Sequence, residues 1–296
     1  MKRLLRTPVV IASLIVNFAA IVVFAQSEKI SPRVAPKPNQ TVHITMVQEM
    51  DMDISMAATG AVPPDAGAMK MTTRMTASMT QKTGSPKPDG SYDAEIRYEE
   101  MRIDMVMNGV PTSTQSNPLV GKVITVTYSR SGQVIDSKFP ADVPGTGEML
   151  KELLTSFSGN LPDTPIGIGE AVSIPLNMTF QLPIPGGSGM KVDGQTEMTL
   201  VSIDKDGKGR SARFDSVTFG RMTSSLPIDP KNGMNLDFTV RGTGTTVTDL
   251  DGGFVRSAES NATLDATITA SPGSNPAGMP AMSMKGTTKV TFTGSH

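Results

Sequence analysis

From Thr41 to Met56 the chain alternates with period two. Val42, Ile44, Met46, Met50, Met52, Ile54 and Met56 fall on one side, and His43, Thr45, Glu49, Asp51, Asp53 and Ser55 on the other. Successive side chains of a strand point to opposite faces, so the pattern dictates a long strand with one apolar and one wet face. Shifted by 130 positions, it returns at Val172, Ile174, Leu176, Met178, Phe180, Leu182 and Ile184, with Gln48 against Met178 as the mismatch.

The repetition extends along the chain. Met69, Met71, Met75 and Met79 alternate with Lys70, Thr72, Arg74 and Thr76, and the counterpart segment carries Met190, Val192, Met198 and Leu200. A third strand, Tyr92 to Met107, keeps Ala94, Ile96 and Tyr98 in one phase and then changes to Met101, Ile103, Met105 and Met107. One extra residue flips every later side chain, which predicts a bulge at Glu99 and Glu100. Each copy ends in a hairpin, Gly121 to Phe139 and Gly242 to Ser260. Their Ser-Gly and Asp-Gly turns suit the positive φ that glycine tolerates. Setting Gly132 on Gly252 places Thr125 on Thr245, Val134 on Phe254, Ile135 on Val255 and Ser137 on Ser257.

Between the copies, Thr146 to Phe157 reads as a helix. Met149, Leu150, Leu153, Leu154 and Phe157 make one apolar stripe, Thr146 caps it, and Ser158 with Gly159 ends it. Two further strands, Ala262 to Thr269 and Met282 to Phe292, close the chain. Ten to twelve strands and one helix place the chain in the all-β class. Neither half has enough strands to cover its own apolar face. The expected architecture is therefore two tandem β-meander repeats forming one strongly curved antiparallel sheet, half-barrel-like, with the inter-repeat helix in its hollow. The divisions are 1–25 signal peptide, 26–40 Pro-rich tether, 41–140 first β repeat, 141–170 helix and linker, and 171–296 second β repeat with the C-terminal strands.

The N-terminus carries Lys2, Arg3 and Arg6 ahead of an apolar run from Pro8 to Ala25. This predicts an export signal cleaved after Ala25, the competing reading being a retained membrane anchor. The expected location is the periplasm or the exterior. With no cysteine in the chain, stability must come from a core and a hydrogen-bond ladder rather than from disulfides. The 27 basic residues, less the three in the signal, face 28 acidic ones, which leaves a net charge of about −4 in the mature chain. No basic stripe follows a phosphate backbone, so nucleic acid is not an expected partner.

Methionine is the unusual residue, with 11 of 21 lying between Met46 and Met107. Its unbranched thioether is a mediocre strand former but repacks readily, so beside an ordinary core reading stands a deformable groove for apolar ligands. The candidate lining is Met46, Met50, Met52, Met71 and Met75, with Leu153 and Phe157 from the helix. Cu(I) capture by the pairs Met50/Met52, Met69/Met71 and Met105/Met107 is a third reading, for which no cysteine or nearby histidine offers help. No catalytic residue, metal site or cofactor is assigned. A hydrolytic triad would have to be built around His43, a wet-face residue, and the carboxylates Glu49, Asp51, Asp53, Glu99 and Glu100 read as solvated. The Asp249 to Gly253 segment reads as a hairpin turn rather than a calcium loop.

The export signal, the long meander built twice, the Gly/Asp-Gly hairpin and the Pro-x-Gly-x-Gly-Glu lead-in at Pro165 to Glu170 resemble a family of uncharacterised secreted bacterial β proteins. Ala171 and Val172 depart from it where an aromatic often follows the acidic residue. More distantly, the plan resembles the half-barrel lipoprotein carriers of the periplasm. That likeness implies a curved sheet holding acyl chains under a helical lid. The expected function is a non-catalytic binding module that carries or senses a lipid or other apolar ligand. The alternative is a structural or interaction protein of the cell envelope with a protein partner.

Overall fold

The computed structural model describes residues 24–25, 29–31, 36–56, 68–116, 119–140, 164–180, 190–229, 232–270 and 281–296. Their regular structure is all strand. In chain order these are β1 (Phe24–Ala25), β2 (Lys29–Ser31), β3 (Thr41–Met56), β4 (Ala68–Thr83), β5 (Tyr92–Met107), β6 (Val110–Ser116), β7 (Val123–Tyr128), β8 (Val134–Lys138), β9 (Ile166–Gly167), β10 (Ala171–Pro175), β11 (Met178–Phe180), β12 (Met190–Asp206), β13 (Gly209–Asp229), β14 (Asn232–Asp249), β15 (Phe254–Ala270) and β16 (Met282–Ser295). The segment expected to form the Thr146 to Phe157 helix lies outside the described residues.

One antiparallel sheet of 13 strands carries the fold, in the order β10-β12-β13-β14-β15-β16-β3-β4-β5-β7-β8, with β11 beside β12 and β6 beside β5. No pairing among the described residues joins β8 to β10, so the sheet is open. The second part of the chain runs across the sheet from β12 to β16, and β16 then pairs with β3 of the first part over fourteen residues from His43 to Met56. The last strand of the chain thus joins its two halves.

Alternation sets the two faces. In β3, Val42, Gln48, Met50, Met52 and Ile54 are buried while His43, Glu49, Asp51, Asp53 and Ser55 are exposed. The same inside-outside rhythm marks β12 and β15. Most of the buried face belongs to one apolar cluster running from Leu200 and Phe214 through Phe238 and Leu264 to Met50 and Met71. A smaller cluster of Leu119, Ile124, Val126 and Val134 covers the β7–β8 end, and Val255, Ala258 and Phe292 form a third.

The predicted phase change is present. Ser78 pairs with Glu100 and Met79 with Tyr98, which leaves Glu99 as the extra residue of β5. The chain then turns at Asn108 and Gly109, both at positive φ (50° and 79°), as a two-residue hairpin requires. The sequence reading missed this hairpin, although its Asn-Gly signal stands in plain view.

Three expectations need correction. β2 lies inside the expected tether, where Ile30 is fully buried, so packing begins before Thr41. Ala262 to Thr269 is the outer part of β15, not a separate strand. In the second hairpin positive φ falls on Gly253, not on Gly252, whereas Gly132 has it in the first. The turn is offset by one residue, so that Val134 corresponds to Val255, both buried, and Ile135 is left exposed. Both hairpins bulge at the same aligned place, between Thr127 and Tyr128 and between Val247 and Thr248. The first pairs of the halves do not share a register. Ile44 faces Met79, but Ile174 faces Thr196 where the alignment placed Leu200, a four-residue slip that preserves the faces.

Candidate ligand-binding face

The methionines of β3, β4 and β5 come together on the buried face. Met50, Met52, Met71 and Met75 are 2–7% exposed, and Met46, Met69, Met105 and Met107 are half-buried. Leu153 and Phe157 lie outside the described residues. Met52 pairs with Met71 and Met71 with Met107, a row of three thioether side chains on adjacent strands. One step along, Met50 faces Thr73, which faces Met105. The pairs two apart that the sequence singled out are therefore neighbours in space.

A polar seam interrupts this face. Gln48, 2% exposed, donates from Nε2 to Thr288 Oγ1 at 3.3 Å, and Thr288 Oγ1 donates to the Glu49 carbonyl at 3.2 Å. Thr196 and Thr218 share a hydrogen bond of 2.9 Å farther across the sheet. The hydroxyls of Thr73 and Ser260 are buried without a hydrogen-bond partner. Toward β12–β15 the face narrows to small residues, and Ser216, Gly220, Gly242, Gly244, Ser260 and Ala262 line a cavity of about 50 Å³. That volume holds water rather than a lipid chain.

The open face is charged and cross-linked. Arg221 donates from Nε to Asp237 at 2.9 Å, Lys289 pairs with Glu259 at 2.7 Å and Arg74 with Glu49 at 3.7 Å. The Arg221 guanidinium holds the Asp237 carboxyl below its usual range. A hollow of about 690 Å³ lies on this face, with Val217, Phe219 and Arg241 in its wall. Val217 is 58% and Phe219 42% exposed, and the Arg241 guanidinium stands 5.3 Å from the Phe219 ring centre. The sequence reading did not single these residues out.

His43, Glu99 and Asp249, weighed for chemistry in the sequence, are each held in polar contacts. Thr80 donates to Glu99 Oε1 at 2.5 Å, and His43 Nδ1 lies 3.2 Å from the same hydroxyl. The hydroxyl stands between histidine and carboxylate, whereas a triad puts the histidine in the middle. Asp249 accepts backbone N–H groups of Asp251 and Gly252 and the Arg256 guanidinium, which organises the β14–β15 turn. Burial pushes the Tyr92 phenol well above its ordinary value, so it stays neutral. Among the described residues no cluster of three or more His, Asp or Glu side chains could hold a metal ion.

The lead-in motif is a clasp. Glu170 accepts the Gly167 N–H at 2.8 Å and an ion pair from Lys29 at 3.2 Å, which ties β2 to β9 where Ile30 and Ile166 are buried together. Both contacts hold the Glu170 carboxyl below its ordinary pKa, the backbone N–H contributing most.

No protein-family model matches the chain, and no curated protein matches it in sequence. The family resemblance read from the sequence is thus not carried by any such match. Among solved structures the chain is similar to one described as lipid-protein interactions in lipovitellin, at 12% identity and a TM-score of 0.41, over 86% of this chain and 25% of that one. It is also similar to OccK7 (OpdD) of Pseudomonas aeruginosa, at 6% identity and a TM-score of 0.25, over 86% and 99% of the two chains. A third likeness is to the COG4313 outer membrane channel of Pseudomonas putida F1, at 9% identity and a TM-score of 0.19, over 88% and 97%. At scores this low the likenesses assign neither family nor function.

Proposed function

We propose that this protein is an exported, non-catalytic binding module whose methionine-rich buried face receives a lipid or another apolar ligand. The observation that carries the reading is the concentration of thioethers on one face of an open sheet. Met50, Met52, Met71 and Met75 line adjacent strands there, where branched residues would pack a fixed core better. The finer picture belongs to the same proposal: two tandem meander repeats forming a half-barrel, with the stripe from Met149 to Phe157 as its cover. The shared bulge position of the two hairpins supports the repeat. The basic start and the apolar run to Ala25 support export, with a mature chain that begins at Gln26.

The test is a titration of the full chain with a fluorescent long-chain fatty acid, together with mass spectrometry of lipid extracted from the exported protein. Saturable binding, or co-purified lipid, is the expected result. A folded protein that neither binds the probe nor carries lipid removes the proposal. An exported chain that still begins at Met1 removes the cleavage claim alone.

The second reading, an interaction protein of the envelope, is favoured by exposed Val217 and Phe219 beside Arg241 on the open face. Aromatic and arginine side chains are the usual anchors of protein interfaces.

A further inference from the structure

We propose that Met52, Met71 and Met107 form a thioether site for Cu(I). Met71 on β4 stands directly opposite Met52 on β3 and Met107 on β5, so the three form one row with Met71 in the middle. Directly opposed residues of antiparallel strands keep their Cβ atoms about 4.5–5.5 Å apart, so three flexible thioethers can turn toward one ion between them. In the adjoining positions Met69, Met50 and Met105 occupy the same face and supply further sulfur. Periodicity could place each pair on a strand face; only the pairing order β3-β4-β5 makes them one cluster.

The chemistry of the donor set selects the ion. Neutral thioethers are soft ligands that suit Cu(I) and bind hard divalent ions poorly. Strand alternation turns Asp51 and Asp53 to the open face, where they meet Thr72 and Lys70, so no carboxylate of β3 joins the cluster. Cu(I) binds these groups without electron or proton transfer.

Access is present as well. The row continues past Met52 to Gly286, where a Cβ would come within 2.9 Å of Met52 Cγ. Met52 thus already occupies the place that a side chain at Gly286 would need. Met107, half-buried, precedes the exposed Asn108–Gly109 turn, which gives an ion a route in from solvent. Nothing similar exists in β12–β14, where the same row reads Gly194, Gly220 and Val240.

The experiment is an anaerobic Cu(I) titration of the full chain against a chromophoric Cu(I) chelator. The wild type is expected to take one equivalent, and M52L/M71L/M107L to bind at least a hundred-fold more weakly. M198L/M222L, altered at two buried methionines of β12 and β13, should match the wild type. In parallel, Ag(I) added to wild type labelled at its methionine methyl groups should shift the resonances of Met52, Met71 and Met107 first, which reports on the site even if the triple variant folds poorly. The proposal fails if the wild type does not compete with the chelator. It also fails if the triple variant keeps the equivalent, or if Ag(I) shifts other methionines first.

Discussion

The buried face is one surface built in two ways. Across β3–β5 it is made of methionine, with Met50, Met52, Met71 and Met75 at its centre. Across β12–β15 it alternates rigid bulk, such as Leu200, Phe214, Phe238 and Leu264, with small residues at Gly220, Gly242 and Gly244. Large and small interlock in the second region, where shape is fixed, while flexible side chains fill the first by changing rotamer. Under the proposed function this difference divides the labour, with β12–β15 holding the sheet and β3–β5 accepting the guest.

If that division is right, removing bulk from the rigid region has the largest effect. Phe214→Ala, at a site 1% exposed, should lower unfolding free energy by about 3–5 kcal/mol in chemical denaturation. A loss below about 1 kcal/mol would show that the region collapses as readily as the methionine region.

The two hairpins sharpen the comparison next. Asp249 is buried and bound to the 14% exposed side chain of Arg256 at 2.8 Å, whereas the turn of the first hairpin relies on the Ser129 hydroxyl accepting the Gln133 N–H at 3.0 Å. Asp249→Ala leaves Arg256 with Asp206 and the Lys208 carbonyl but takes away its closer carboxylate and the acceptor of the Asp251 and Gly252 N–H groups, and should cost about 2–3 kcal/mol. Ser129→Ala removes one neutral hydrogen bond and should cost about 1 kcal/mol. Equal losses in parallel melts would erase the asymmetry between the halves.

A volume-conserving change in the methionine region should matter less. Met50→Leu is expected to cost less than about 1.5 kcal/mol in the same denaturation series. A larger loss would mean that β3–β5 are as tightly fitted as β12–β15.

The smallest effect is that of acid. Lys87 and Thr127 hold the Asp93 carboxyl below its ordinary pKa, and Arg221 does so for Asp237. A depressed folded pKa gives stability that is fully present above the unfolded value of about 4 and is lost as pH falls through the folded one. Melting temperature should therefore stay level from pH 8 to 5 and decline below about 4. Both carboxylates are solvent-screened, so the decline should be shallow, and Asp93→Asn with Asp237→Asn should flatten it further.

Much of this fold could be read from local pattern. The bounds of β3 and its faces follow from alternation, as does the bulge at Glu99 from a phase change between Tyr98 and Met101. Offsets that leave faces unchanged were not legible, because the four-residue slip between Ile44–Met79 and Ile174–Thr196 keeps every side chain on its side. The clasp from Glu170 to Lys29 spans 141 positions and has no periodic signature. For the candidate site, five methionines were named from the alternating pattern, yet Met107 joined Met52 and Met71 only through strand order.

The sequence by itself determined the class of structure, the strand faces and the bulge, since each is set by side chains a few residues apart acting on their own stretch of backbone. The tertiary structure alone decided that β16 joins the halves through β3, that the sheet stays open between β8 and β10, and that three methionine pairs become one cluster. Those outcomes depend on which strand edges meet, a choice made by long-range hydrogen-bond pairing and shared burial that no local periodicity encodes.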